Sequence, residues 1–512
     1  MRVLLAALCA FAAAACATTV PRSSQPVARF KILQINDVYK IEGLESGNTG
    51  GLARVRWLRK LLESDGTPVL VLHGGDALYP SVMSKYLEAR PMVDVLNMLD
   101  GDAAKEDHNL IATFGNHEFD NKDATTLLQR LKDSKFQWVS TNVRWCNPKC
   151  DQWFPNQSDV LQLEFNGVKV ALFGLTYPMQ KSYVQSTDPI DAARTLVETI
   201  ANNGVGVFIA ITHEDMDDDI RLLNEVPGID LIIGGHDHSY MTATANSRWI
   251  TKADANAKSA IVYDITVMAD GSLRTAPLRV ALDTTMHKDP DVDARVQQWL
   301  KELSVKLGGN ETIARTESLL EGVEPVIRGR ESALGNLLTD VAREQMQTDV
   351  AVHLGGSVRI NDNIVPGPIT TYDMEGIFYY TDSLVAFRVT GQQLLDMLRN
   401  SVSRADAGDG RFLHVSGLTF TYHPSNGAFV VNPEDVKVGG KPLDVSATYT
   451  VAGTSYLYES GSDDGYTLFS DATRPPKVNE SREADFRKTV EAYLRAKGTV
   501  DPGIEGRIVR AP

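Results

Sequence analysis

At 512 residues the chain is too long for one ordinary hydrophobic core, which predicts two or more domains. Its 43% hydrophobic and 23% charged residues are those of a globular protein. A net charge of −15 excludes non-specific binding to a nucleic acid polymer, but not a phosphate substrate, because divalent metals reverse the local sign of a cleft.

The chain opens with Met1-Arg2 and a small, apolar run from Val3 to Ala15. This pattern predicts a secretory leader over residues 1–17, too short to cross a bilayer as a stable helix. It places the mature protein in the periplasm or cell envelope. Ala13-Ala14-Ala15-Cys16 has the form of a bacterial lipoprotein signal, with Cys16 acylated as an anchor. Ala15-Cys16-Ala17 equally has the form of an ordinary A-x-A cleavage site. The lipoprotein reading is favoured, since a cysteine rarely ends a leader by accident.

From Phe30 to about Val280, short apolar runs alternate with polar, helix-capable stretches, the pattern of an α/β domain. The runs are Phe30–Ile35, Val69–Leu72, Leu110–Phe114, Val168–Leu175, Val207–Ile211 and Ile229–Ile233. Cys146 and Cys150, four residues apart, read as a disulfide stapling a loop of an exported protein. The alternative, a zinc site, needs two further ligands from elsewhere. A helix is predicted over Asp291–Leu307, with apolar positions at Val292, Val296, Trp299, Leu300 and Leu303, and Gly308-Gly309-Asn310 ends it. A second mixed α and β domain begins at about Glu311.

The chemistry lies where the apolar runs end. Five of them lead in turn into Asp37, into Gly75-Asp76, into Gly115-Asn116-His117-Glu118-Phe119-Asp120, into His213, and into Gly235-His236-Asp237-His238. The carboxyl ends of strands are where open α/β sheets place their sites. Asp, His and an amide oxygen suit borderline-hard divalent ions, and one carboxylate can bridge two of them. Two such ions clamp an in-line displacement at phosphorus. Each short motif alone is as well explained by a turn or a cap. Their conjunction, each after an apolar run, points to a two-metal hydrolase.

These residues resemble the ordered signature of calcineurin-like metallophosphoesterases. Gly115–Asp120 and Ile229–His238 resemble, more closely, the bacterial 5'-nucleotidase/UDP-sugar hydrolase family. The second half continues the likeness at Arg330–Asn336, Gly355–Arg359, Phe412–Gly417 and Gly461–Tyr466. The resemblance implies a four-layer α/β/β/α catalytic domain over 28–285, a linker helix within 286–310, and an α+β substrate-binding domain over 311–510. It also implies two divalent ions, of manganese, zinc, iron or cobalt. One would be held by Asp37, Asp76 and His238, the other by Asp76, Asn116, His213 and His236. His117 would contact the phosphate, with Asp120 orienting its ring. The implied nucleophile is a metal-bound water or hydroxide. Arg359 would contact phosphate or ribose, Asp464 would contact ribose, and Phe412 and Tyr466 would sandwich a nucleobase. The C-terminal domain is expected to rotate and carry the bound substrate to the metals.

Three positions depart from the family. The first motif is usually Asp-x-His and here is Asp37-Val38-Tyr39. Tyr39 as a phenolate, a water, or Tyr79 (in a Gly-Asp-x-x-Tyr run like that of purple acid phosphatases) are the candidate replacements. Leu354 stands where the family has a substrate-facing asparagine, and Asp382 where it has an amide. The leading expectation is hydrolysis of a nucleoside 5'-phosphate. A nucleotide sugar, a 2',3'-cyclic nucleotide, or a non-catalytic surface binding protein are the alternatives.

Overall fold

The computed structural model describes residues 25–425 and 427–512. The leader predicted over 1–17, with Cys16, lies outside the described residues. Among the described residues no helix is long and apolar enough to cross a membrane.

The first half is built on two sheets packed face to face. In the first sheet, β1 (Pro26–Ile35), β2 (Val69–His73) and β3 (Asp107–Ala112) run parallel and adjacent. The second sheet centres on β4 (Val168–Thr176), β5 (Val205–His213) and β6 (Leu231–Gly234), also parallel. Strand alternation assigns each side chain a layer. Phe30, Ile32, Leu70 and Leu72 meet Val170, Leu172, Ile209 and Ile211 between the sheets. Leu33, Ile35, Val69 and Val71 point outward, under a helix at Leu52–Glu63. Ala171, Phe173, Phe208 and Ala210 point to the opposite outer face, under helices at Pro189–Ile200 and Met216–Glu225. The result is the α/β/β/α layering expected of the family, with strands buried on both faces and therefore apolar throughout.

Strand register brings the polar ends together. Ile35 is paired with His73, and His73 with Ala112, so the first three strands stop level with one another. In the other sheet His213 is paired with Thr176, and Thr212 with Gly234. The residues that follow each strand therefore line one edge of the sandwich.

The helix α1 (Pro290–Lys306) starts at an Asp289 cap and buries Val292, Val296, Trp299 and Leu303 against the first unit's outer core. It is a packed element of that unit and not a free strut. Beyond it, separate cores form around α2 (Glu324–Ile327), α3 (Ala333–Met346), β7 (Val350–Leu354), β8 (Ser383–Thr390), β9 (Leu413–Ser416) and β10 (Thr448–Thr454). The two units meet through partly buried polar contacts. Lys40 pairs with Asp362 at 2.8 Å, and the Tyr372 hydroxyl donates to Glu42 at 2.6 Å. Cys146 and Cys150 are bonded to each other in a hairpin at the edge of the first unit.

Candidate metal centre and active site

Six of the side chains singled out at the strand ends converge. Asp37, Asp76 and His213 each offer a donor atom within 4.8 Å of the others. His213 Nε2 lies 3.3 Å from Asp76 Oδ2, 3.2 Å from Asn116 Oδ1 and 3.3 Å from His236 Nδ1. His238 Nε2 lies 3.3 Å from Asp37 Oδ1. The chain accepts local strain to arrange this. Asp37, Asp76, His236 and His238 all have positive φ, between 53° and 79°. Glycine is needed beside them: a Cβ on Gly115 would sit 2.0 Å from Asp76 Oδ1, and one on Gly75 2.4 Å from His213 Nδ1.

The Tyr39 hydroxyl sits inside this cluster, 2.9 Å from Asp76 Oδ2, 3.1 Å from Asp37 Oδ1 and 2.8 Å from His238 Nε2. Asn256 fixes it there by accepting from the Tyr39 and Lys40 amides, each at 2.9 Å. The Tyr79 hydroxyl instead accepts from Asn121 at 3.0 Å, in a neighbouring cleft with Asp120 and Tyr379. Of the two tyrosines considered as replacements for the missing histidine, Tyr39 is the one placed among the donors.

Electrostatics shows what the centre requires. Asp37 and Asp76 are buried, at 0% and 1% exposure, and uncompensated carboxylates are costly there. Burial pushes both carboxyls up, but the neighbouring histidines hold them below the usual range. Burial also disfavours charge on His213, yet Asp76 and Asp37 outweigh that cost and raise its pKa to about 9. Glu324 and Asp37 likewise overcome burial and raise the His238 pKa to about 10. His236 is lowered, by burial and by His213. Buried carboxylates and imidazoles that each hold the other in its charged form make a place that favours a cation. Oxygen and imidazole donors of this kind fit divalent ions, whose binding displaces ring protons.

Supporting residues complete the site. His117 and Asp120 are joined through Nδ1 and Oδ2 at 2.8 Å, and the His117 amide donates to Asp76 Oδ1 at 2.9 Å. Buried Glu118 accepts from the amides of Asp76 at 3.0 Å, Ala77 at 2.7 Å and Leu78 at 3.0 Å, which fixes the loop carrying Asp76. Asn36 donates to Asp37 Oδ2 at 2.7 Å. Buried Lys252 pairs with Asp219 at 3.1 Å and with Asp237, holding the loop between His236 and His238. Glu118 was visible within its motif, but nothing in the sequence assigned Glu118 or Asn36 these partners. Lys252 carried no sequence signal.

Across the cleft, Arg359 lines the same cavity as Tyr39, His238 and Glu324. Its guanidinium lies 5.7 Å from the exposed ring of Tyr380. The expected base sandwich is not open in this structure. Phe412 is 0% exposed with its ring edge-on to His414, and Tyr466 is 2% exposed. The Tyr466 hydroxyl donates inward to the Arg411 carbonyl, and both rings belong to the domain's buried apolar core. The physical reason is side-chain direction: both rings pack into the apolar core, and Tyr466 only borders a shallow cavity beside Asn400 and Thr467. Asp464 is half-buried beside them, its carbonyl accepting from Asn400 at 3.0 Å. Leu354 is buried, and the Asp382 carboxylate caps the turn at Ser455–Tyr456, accepting from the Tyr456 amide at 3.1 Å.

A four-layer sandwich with Asp, Asn and His gathered at the carboxyl ends of its strands defines a metallophosphoesterase, a hydrolase of phosphoric esters. The chain belongs to the family that joins a calcineurin-like phosphoesterase domain, matched over residues 30–240, to a 5'-nucleotidase C-terminal domain, matched over residues 312–471. It is similar to the snake venom 5'-nucleotidase of Naja atra, 24% identical over 533 residues, covering 93% of this chain and 98% of that protein. Its similarity to the trifunctional nucleotide phosphoesterase protein YfkN of Bacillus subtilis is 26% identity over 493 residues. That match covers 86% of this chain and 32% of the relative, so the chain spans about a third of that relative's length. The fold superposes on the 5'-nucleotidase precursor of Thermus thermophilus with a TM-score of 0.75 at 24% identity, covering 94% and 99% of the two chains.

Proposed function

We propose that this chain is an exported 5'-nucleotidase that hydrolyses nucleoside 5'-monophosphates to nucleoside and phosphate. The observation that carries the reading is the convergence of Asp37, Asp76, Asn116, His213, His236 and His238 at one sandwich edge, faced by Arg359. Divalent ions held by these six side chains, with Tyr39 beside them, would supply Lewis acidity at the phosphoryl oxygens and a water acidified for attack. Arg359 presents a cation to the phosphate from the C-terminal domain. His117, with Nδ1 committed to Asp120, has Nε2 left to donate to an oxygen on phosphorus as charge develops there. Attack forms a bond from water oxygen to phosphorus and breaks the bond to the ester oxygen, which leaves with a proton. An exported location is supported by the leader pattern of residues 1–17 and by the Cys146–Cys150 bond.

A second reading, another phosphate ester such as a nucleotide sugar or 2',3'-cyclic nucleotide, is favoured by one observation. Phe412 and Tyr466 are enclosed, so a base has no ready slot between them. Phosphate release from a panel of 5'-monophosphates, nucleotide sugars and cyclic nucleotides, with chelator or added manganese, separates the two. Release from monophosphates that is abolished by chelator supports the first reading. Activity confined to the other esters supports the second, and metal bound without release from any of them sinks both.

The position of the Tyr39 hydroxyl gives a further expectation. Tyr39→Phe keeps the ring and deletes the hydroxyl shared by Asp37, Asp76 and His238. It is expected to weaken metal binding about tenfold, the scale of losing an outer partner of a metal ligand, as read by chelator competition.

A further inference from the structure

The ring ligands do not all take their orienting partners from the same unit. A metal-bound imidazole is held in tautomer and direction by whatever its second nitrogen meets. His213 Nδ1 meets the Gly74 carbonyl at 2.7 Å, within its own unit. His236 Nε2 lies 3.6 Å from Asp215 Oδ1, again within its own unit. His238 is different. Its Nδ1 is hydrogen-bonded to the carboxylate of Glu324, 86 residues further along the chain, on α2 of the C-terminal domain. Glu324 is 9% exposed and is itself held, by Arg328 on one oxygen and through its amide by Asn361 at 3.2 Å. A buried carboxylate anchored on both sides fixes a ring well.

We propose that Glu324 is a positioning residue that completes the metal position at Asp37 and His238, so that this position reaches full affinity only while the C-terminal domain is docked. The other position, at Asn116, His213 and His236, is complete within the first unit. Thermodynamic linkage makes the effect reciprocal: a divalent ion at the first position favours the docked arrangement by the same free energy. Docking does not itself hang on Glu324, because Lys40–Asp362 and Tyr372–Glu42 also join the units. The carboxylate can therefore be removed while the domains remain together.

The inference rests on His238 being a metal ligand, so the test measures both. Full-length protein stripped of metal is titrated with manganese against a chromophoric chelator, as wild type, Glu324→Ala, Glu324→Gln and His238→Ala. Glu324→Ala is expected to weaken one of two manganese sites by about 10–100-fold and leave the other unchanged. Glu324→Gln keeps an oxygen that accepts from Nδ1 but loses the charge that pairs with Arg328, so it is expected to retain most of the affinity. Wild-type affinity in Glu324→Ala overturns the proposal, as does equal weakening in Glu324→Gln, which would trace the effect to Arg328. If His238→Ala binds manganese as the wild type does, the ligand assignment falls and the proposal falls with it. Weakening in His238→Ala without weakening in Glu324→Ala removes only the role of Glu324.

Discussion

Asp76→Asn is expected to lower kcat/KM by about a thousandfold or more, since each metal-assisted phosphoryl transfer draws several kcal/mol from charge neutralisation. The substitution is nearly isosteric and removes one negative charge from the centre of the cluster. Both Asp76 oxygens are engaged there. Oδ1 accepts from the His117 amide at 2.9 Å, and Oδ2 accepts from the Tyr39 hydroxyl at 2.9 Å and lies 3.3 Å from His213 Nε2. Its backbone sits at φ 54°, braced by Glu118, so the side chain has been placed at a conformational cost that packing alone does not require. An asparagine there keeps one acceptor but cannot bridge two cations. Metal content and turnover should fall together, measured by elemental analysis and phosphate release. Turnover retained with both metals bound would remove Asp76 from the centre.

What the sequence made legible, and what it did not, follows from how far apart the cooperating residues lie. The sandwich was readable because strands buried on both faces leave unbroken apolar runs, and each run ended abruptly on Asp, Asn or His. Parallel register then leaves little choice about where Asp37, Asp76 and Asn116 go. The fate of Tyr39 was not readable. Whether it, a water or Tyr79 replaces a histidine depends on the Asn256 loop that holds the Tyr39 amide, 217 residues away in sequence. Glu324 was silent for the same reason: a lone glutamate gains meaning only from domain docking. Phe412 and Tyr466 show a different limit. Their motifs were recognisable, but a motif does not say which way a ring faces, and here both face the core. Lys252 carried no signal at all, since a lysine at the end of a short mixed strand reads as exposed until Asp219 and Asp237 are seen around it.

The second large effect is expected at His117, and it should separate chemistry from metal binding. His117→Ala is expected to lower kcat by about 10²–10³-fold, the cost of deleting one preorganised donor to developing charge, with KM and metal content little changed. The ring does not join the donor cluster; its Nδ1 is engaged by Asp120, whose other oxygen lies 3.6 Å from Lys181. Burial works against a charged imidazole here, but Asp76 and Asp120 outweigh it and raise the His117 pKa above its ordinary value. A raised pKa means that the donating, protonated ring persists to higher pH, so the rate should fall as pH rises through it. Asp120→Asn removes one of the two carboxylates responsible. It should therefore move the alkaline limb of the kcat/KM profile to lower pH, with a loss of about tenfold at the optimum from poorer ring orientation. An ion bound beside Asp76 offsets that carboxylate's pull but not that of Asp120, so the displacement should survive metal loading. A profile unmoved by Asp120→Asn would mean that the alkaline limb belongs to another group, and that Asp120 only holds the ring in place.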